Sequence, residues 1–294
     1  MKKMSILLML LCITLGANAQ LLWKVSGKDL SKPSYILGTH HLAPLSIVDS
    51  IANFKETLNS IEQVYGEIIM KDMQSPANMQ KMQQAIILPG DTTLHTLLTE
   101  ARYDSVAATV KQLMGVDLKM MDKIKPAFLS SQLAVILAMK TVKGFNPQQQ
   151  LDGWVQAEAE KQGKKVGGLE TMDFQIGVLF NSQSLQRQAE QLYGTIAYMS
   201  ETEELTQKMT NAYMNQDLEL LNKVMHHKMG NFCDALPEEE DKLIYNRNNN
   251  WSMLMPTIMK ANSTLFAVGA GHLPGERGVL NLLKQQGYTV EAVK

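Results

Sequence analysis

Two short segments more than two hundred residues apart share one grammar: an apolar run, a glycine, two small or polar residues, then histidine. They are Ser34-Tyr35-Ile36-Leu37-Gly38-Thr39-His40-His41 and Thr264-Leu265-Phe266-Ala267-Val268-Gly269-Ala270-Gly271-His272. Each reads as a buried strand that stops where glycine permits a sharp turn, so that an imidazole is delivered just past the strand's carboxyl end. In open α/β sheets that edge is where ligands bind. One such histidine signals no more than a core hydrogen bond. Two in matching positions imply a sheet, and a site, assembled from both ends of the chain.

The intervening sequence fits this plan. Ile51, Phe54, Leu58 and Ile61 recur at helical spacing, and the run from Val64 to Ile69 then reads as a strand carrying Glu67. Ser75-Pro76 starts a helix, and from Asp91 to about Lys143 the pattern is continuously helical. Leu151 to Lys161 predicts a helix closed by Gly163, followed by a strand from Lys165 that finishes on Glu170. Residues 171–260 return to helix. Thr264 to Val268, Val279 to Gln286 and Tyr288 to Val293 then read as strand, helix and strand. The expected fold is α/β with an α+β-like arrangement: a sheet built from N- and C-terminal segments, with a large, mostly helical insertion over about 75–260. Residues 20–294 are expected to form a single domain.

Lys2 and Lys3, the apolar stretch from Ile6 to Leu15 and Ala17-Asn18-Ala19 have the pattern of a secretory signal over 1–19. The mature chain is therefore expected to be exported, periplasmic or secreted, with no transmembrane segment. Cleavage would remove Cys12 and leave Cys233 alone, so no intramolecular disulfide could form. Without the two signal lysines, the 28 basic side chains fall to 26 against 29 acidic ones, a net charge near −3. No nucleic-acid stripe or polybasic membrane patch is visible.

Two imidazoles and one carboxylate make a common ligand set for a hydrolytic metal, which points to His41, Glu67 and His272. Mn²⁺, Co²⁺ and Zn²⁺ all suit such donors, and residue type alone does not choose among them. Each of these histidines follows its glycine by three positions, so His40 is read as a supporting residue. Glu67 and Glu170 are candidates to orient water or move protons. Arg247 reads as a surface charge on a helix or as a clamp for an oxyanion or carboxylate. Asp152, in the first turn of its helix, reads as a cap or dipole partner rather than a catalytic group. His226 and His227 are adjacent on a helix and make a poor chelate, and with His95 they are assigned to surface or packing. No serine or cysteine stands in a nucleophile pattern. Seventeen methionines remain beyond the signal; they suit an adaptable core or a groove for apolar or peptide substrates.

These motifs resemble the TraB/GumN family, which is related to the Tiki metalloproteases. The resemblance rests on Leu22-Trp23-Lys24-Val25, Tyr35 to His41, Glu67, Leu151-Asp152, Gly168-Leu169-Glu170-Thr171 with Gln175, Arg247-Asn248, and Val268 to Gly275. It implies that His41, Glu67 and His272 hold the family's active-site positions, with Arg247 at a recurring polar one, and that the chain is a metal-dependent hydrolase of peptidase type. The competing expectation is a non-catalytic envelope protein that binds a small molecule, haem or peptide. Association of the helical segment into a homo-oligomer is a further expectation.

Overall fold

The structure, a computed structural model, describes residues 20–294, so the expected signal segment lies outside the described residues. Six strands form one mixed sheet: β1 (Leu22–Ser26), β2 (Ser34–Thr39), β3 (Gln63–Gly66), β4 (Lys165–Gly168), β5 (Thr264–Gly269) and β6 (Thr289–Ala292). Their order is β4-β3-β5-β2-β1-β6. The block β4-β3-β5-β2 is parallel, while β1 runs antiparallel to both β2 and β6. Strands from the two ends of the sequence thus interleave, as the paired motifs require, and the region between them is predominantly helical.

Parallel pairing fixes which residues emerge together. Thr39 is level with Gly269, Gly66 with Ala267, and Gly66 with Gly168. Beyond the strands the alignment continues, with the Leu169 amide donating to the Gly66 carbonyl at 3.0 Å and the Glu170 amide to the Glu67 carbonyl at 2.8 Å. One edge of the sheet therefore carries His41, Glu67, Glu170 and His272.

The glycines of the two histidine motifs do a different job from the one expected. Neither lies in the left-handed region, so no turn there depends on glycine's φ. A Cβ on Gly38 would stand 3.0 Å from Ala270 Cβ and 3.2 Å from Leu273 Cδ2, and one on Gly269 would stand 3.3 Å from Glu67 Oε1. They are small because the two turns and Glu67 pack against each other.

Ile36, Leu37, Val64, Leu265 and Phe266 of the sheet pack with Trp251 and Met255 of the helix Asn246–Ala261 in the main core. At ~1.5–3 kcal/mol per fully buried large apolar side chain, this packing holds the strand ends in place. A second core, with Leu94, Val106, Leu129 and Leu192, lies within the insertion. The stretch read as continuously helical is broken there into Leu94–Leu97, Glu100–Met114 and Pro126–Thr141. Gly115 ends the middle helix at φ +72° and Pro126 opens the last one, so the longer break has its usual local causes.

Candidate functional site

The helix Asn246–Ala261 is preceded by one π-helical turn, Asp241–Tyr245, of the kind that often marks a functional position. Arg247 and Trp251, four residues apart, project from one face of that helix toward the sheet edge. The Arg247 guanidinium forks onto Glu170, with Nε donating to Oε1 at 2.7 Å and Nη2 to Oε2 at 3.0 Å. Its Nη2 also donates to Glu67 Oε2, and Trp251 Nε1 donates to Glu170 Oε1 at 2.9 Å. The guanidinium lies 4.8 Å from the centre of the Trp251 ring. Glu67 is further held by the Gly269 amide, 2.9 Å from Oε1, and by Gln175 Nε2, 3.2 Å from Oε2. Burial alone would raise the Glu67 pKa, but Arg247 and the Gly269 amide overcome it and keep the carboxyl below its ordinary range.

His272 is 4% exposed, and its tautomer follows from its neighbours. Asn248 Nδ2 donates to two backbone carbonyls, those of His272 at 3.2 Å and Arg277 at 2.9 Å. Its Oδ1 therefore faces His272 Nδ1, at 2.7 Å. An amide oxygen only accepts, so Nδ1 carries the proton and Nε2 keeps its lone pair. Arg247 Nη1 is 3.2 Å from that Nε2, and Glu67 Oε1 is 4.0 Å from it. Burial lowers the His272 pKa to about 3, which leaves the ring neutral at ordinary pH and without charge to lend Glu67.

His41 has a parallel arrangement at the rim of the cleft, where its side chain is 58% exposed. Nδ1 is 3.0 Å from Asp152 Oδ2, and Thr39 Oγ1 donates to Asp152 Oδ1 at 2.7 Å. Oδ2 is buried without an aligned hydrogen bond, so its contact with His41 is an ion pair. The Asp152 charge raises the His41 pKa to about 9. Asp152 is thus not a mere helix cap. It is the buried anion that fixes His41, through a contact no local sequence signal announces. His40 also lines the cleft, with its ring edge-on to Tyr213 at 5.3 Å and Nε2 3.4 Å from Thr210 Oγ1.

These two shifts bracket a stability optimum in metal-free protein. Unfolded histidine titrates near 6.5. Between pH 3 and 6.5 the unfolded chain takes up a proton that folded His272 refuses, so acidification through that window destabilises the fold, by at most about 1.4 kcal/mol per pH unit. His41 works in the opposite sense: its contribution is complete below 6.5 and is lost as pH rises toward 9. Urea denaturation with chelator across pH 4–9 should show a maximum near 6.5, and His272→Gln should make the acidic limb shallower, leaving the part due to His40, which burial lowers to about 4. An unchanged acidic slope in that variant would contradict the neutral, buried ring.

A cavity of about 580 Å³ is lined by His41, Glu67, Arg247 and His272, with Gln175 and Asp152. Glu170 does not line it; that carboxylate lies behind Arg247, beside a separate cavity of about 390 Å³. The expected role of Glu170 as a base or ligand is therefore replaced by one of aiming the guanidinium. Asn248, Gln175 and Trp251 had no assigned role in the sequence, although Asn248 adjoins Arg247 and Trp251 follows it by one turn.

Among the described residues no three His, Cys, Asp or Glu side chains already converge closely enough to hold a metal ion. Arg247 is the cation that now faces Glu67 and His272. The donor chemistry nonetheless fits a metal. Both Nδ1 atoms are engaged by an acceptor, Asp152 or Asn248, the usual supporting pattern of metal-binding histidines; His272 Nε2 would take a ligand in place of Arg247 Nη1, and His41 Nε2 in place of its proton.

A mixed α/β protein with histidine, glutamate and arginine gathered at the carboxyl ends of parallel strands is the class so defined. Residues 21–292 match the TraB/PrgY/gumN family, and the chain belongs to it. It is 24% identical to "Metalloprotease TIKI2" of Danio rerio over 92% of this chain and 60% of that protein. It is 22% identical to "Metalloprotease TIKI homolog" of Amphimedon queenslandica over 95% of this chain and 62% of that protein. A further similarity, 22% over 88% of this chain and 60% of the relative, is to "Metalloprotease TIKI1" of Danio rerio. The chain thus spans about 60% of the length of these relatives. No solved structure matches.

Proposed function

We propose that this protein is an exported, metal-dependent hydrolase of peptide or related amide bonds. The observation that carries the reading is the pair of imidazoles, each tied through Nδ1 to a fixed acceptor, on one cleft with Glu67. Similarity to relatives that are named metalloproteases supports it. His41, Glu67 and His272 would hold the metal, which would polarise a carbonyl and lower the pKa of a water. Arg247 offers its Nη atoms to the carbonyl oxygen on which negative charge develops. As Nη2 shifts onto that oxygen, Glu67 loses its strongest hydrogen bond and its basicity rises, so that Oε1, beside His272, can receive a proton from the attacking water. Glu170 and Trp251 keep the guanidinium in plane throughout.

The test is metal analysis of purified protein followed by peptide-library digestion with and without chelator. Cleavage that chelation abolishes and added metal restores is the expected result. Stoichiometric retention of a ligand with no turnover would favour the binding-protein alternative instead. Arg247→Lys should retain metal while lowering turnover by roughly 10²–10³-fold, because an ammonium cannot bridge two carboxylates and an oxyanion at once. Undiminished kcat in that variant would remove Arg247 from the mechanism.

A further inference from the structure

The catalytic cavity does not stand alone. On one side it shares Val178, Leu179, Met209, Met225, Leu243 and Ile244 with a cavity of about 620 Å³. On the other it shares Met70, Met73, Gln150 and Gln156 with one of about 790 Å³. The three cavities adjoin one another, with His41, Glu67 and His272 lining the middle one, and together they outline a trough.

The two arms differ in chemistry. At the first junction Leu179 is 48% and Leu243 46% exposed, so these apolar side chains are left uncovered beside the flexible Met209 and Met225. Exposed large apolar groups concentrated at a cleft are what an apolar ligand group would cover, and thioether side chains adapt to more than one shape of it. The second arm presents the exposed Gln148 and Gln149 with Gln74 and the half-buried Trp154. Primary amides both donate and accept, as does each unit of a peptide main chain, and the two charged side chains of this arm, Lys71 and Glu160, pair with each other at 3.7 Å.

We propose that the site takes an extended peptide lying across Glu67 and His272, with a large apolar side chain seated between Leu179 and Leu243 on one side of the reacting bond and the main chain held along Gln148 and Gln149 on the other. The inference rests on the peptide-hydrolase reading and adds to it a length requirement and a one-sided preference. The trough is open along its course rather than closed around a compact molecule, which favours a chain-like substrate.

The experiment measures binding separately from cleavage. Fluorescein-labelled peptides of four to twelve residues, carrying Leu, Met, Phe or Asp at each position in turn, are titrated by anisotropy with the chelated mature protein and digested in parallel with the metal-loaded one. Leu, Met or Phe at one position should bind at least tenfold more tightly than Asp, and the octamers and longer peptides more tightly than tetramers. Leu179→Gln with Leu243→Gln should erase that tenfold preference. Gln148→Ala with Gln149→Ala should weaken the longer peptides alone. All four positions are exposed or partly exposed, and unchanged melting confirms the fold. Binding with these preferences but no cleavage would overturn the hydrolase reading and leave the trough assignment standing. Cleavage whose selectivity the leucine pair does not alter, the absence of length dependence, tighter displacement by a fatty-acyl amide than by any peptide, or no peptide binding at all would each overturn the inference.

Discussion

Glu170→Gln should lower stability by about 3 kcal/mol and turnover by about 100-fold while leaving metal affinity nearly unchanged. The carboxylate is 4% exposed and accepts three hydrogen bonds, from Arg247 Nε and Nη2 and from Trp251 Nε1. Glutamine has the same shape but a single acceptor oxygen, so its amide nitrogen must face one of those donors whichever way it turns. The substitution also leaves the buried guanidinium with Glu67 as its remaining carboxylate. Arg247 keeps a charge partner, so the cost comes from the charge-assisted fork that is lost and from a buried donor left facing the amide nitrogen. Turnover falls for a geometric reason, since an Arg247 no longer held in plane misses the carbonyl oxygen. A urea midpoint displaced at constant m-value, measured beside kcat on a peptide the unaltered chain cleaves, checks both effects. Near-normal stability would show that the fork onto Glu170 is not maintained in solution.

The second large effect is coupling among His41, Glu67 and His272. Losing any one should lower metal affinity by at least roughly 100-fold, and a second loss should add little, because the ligand set is already broken. Asp152→Asn should weaken binding by about 10–100-fold above pH 9, where no proton competes for His41, since it frees the ring without removing a ligand. Affinity should also rise with pH toward 9, because the metal must displace the proton that Asp152 stabilises on His41. His95→Gln is the control; that ring pairs with Glu100 at 3.1 Å, remote in contact from the cleft residues. Metal content measured beside melting temperature separates loss of the site from unfolding. Full occupancy in a well-folded His41→Ala, His272→Ala double variant would show that the two glycine-histidine turns do not bind the metal.

What could be read from the sequence was what local pattern encodes. The matched strands, the helix Leu151–Lys161 and the ends carrying Glu67 and Glu170 follow from apolar runs and their punctuation. Both acidic residues emerge slightly later than expected, because β3 stops at Gly66 and β4 at Gly168. Partnership across the fold was not legible. Asp152 has every local mark of a helix-start residue, and only the tertiary structure sets it against Thr39 and His41. Arg247 looks like an ordinary helix charge until β3 and β4 deliver two carboxylates to it. The motif glycines signalled turns by composition, whereas the contact that excludes a side chain comes from the other motif.

The position of β5 in the sheet bears on how the chain matures. It is the last of the four parallel strands in sequence, yet it is inserted between β2 and β3. Until residues 264–269 arrive, β2 and β3 each present an open edge, the template on which chains pair wrongly with one another. Closure then spans about two hundred residues, a non-local step of the kind that slows folding. His272 lies three residues beyond β5, so the strand that seals the sheet also brings in the second imidazole. A partly made chain therefore lacks the second imidazole, and the cleft is incomplete until the sheet itself is whole.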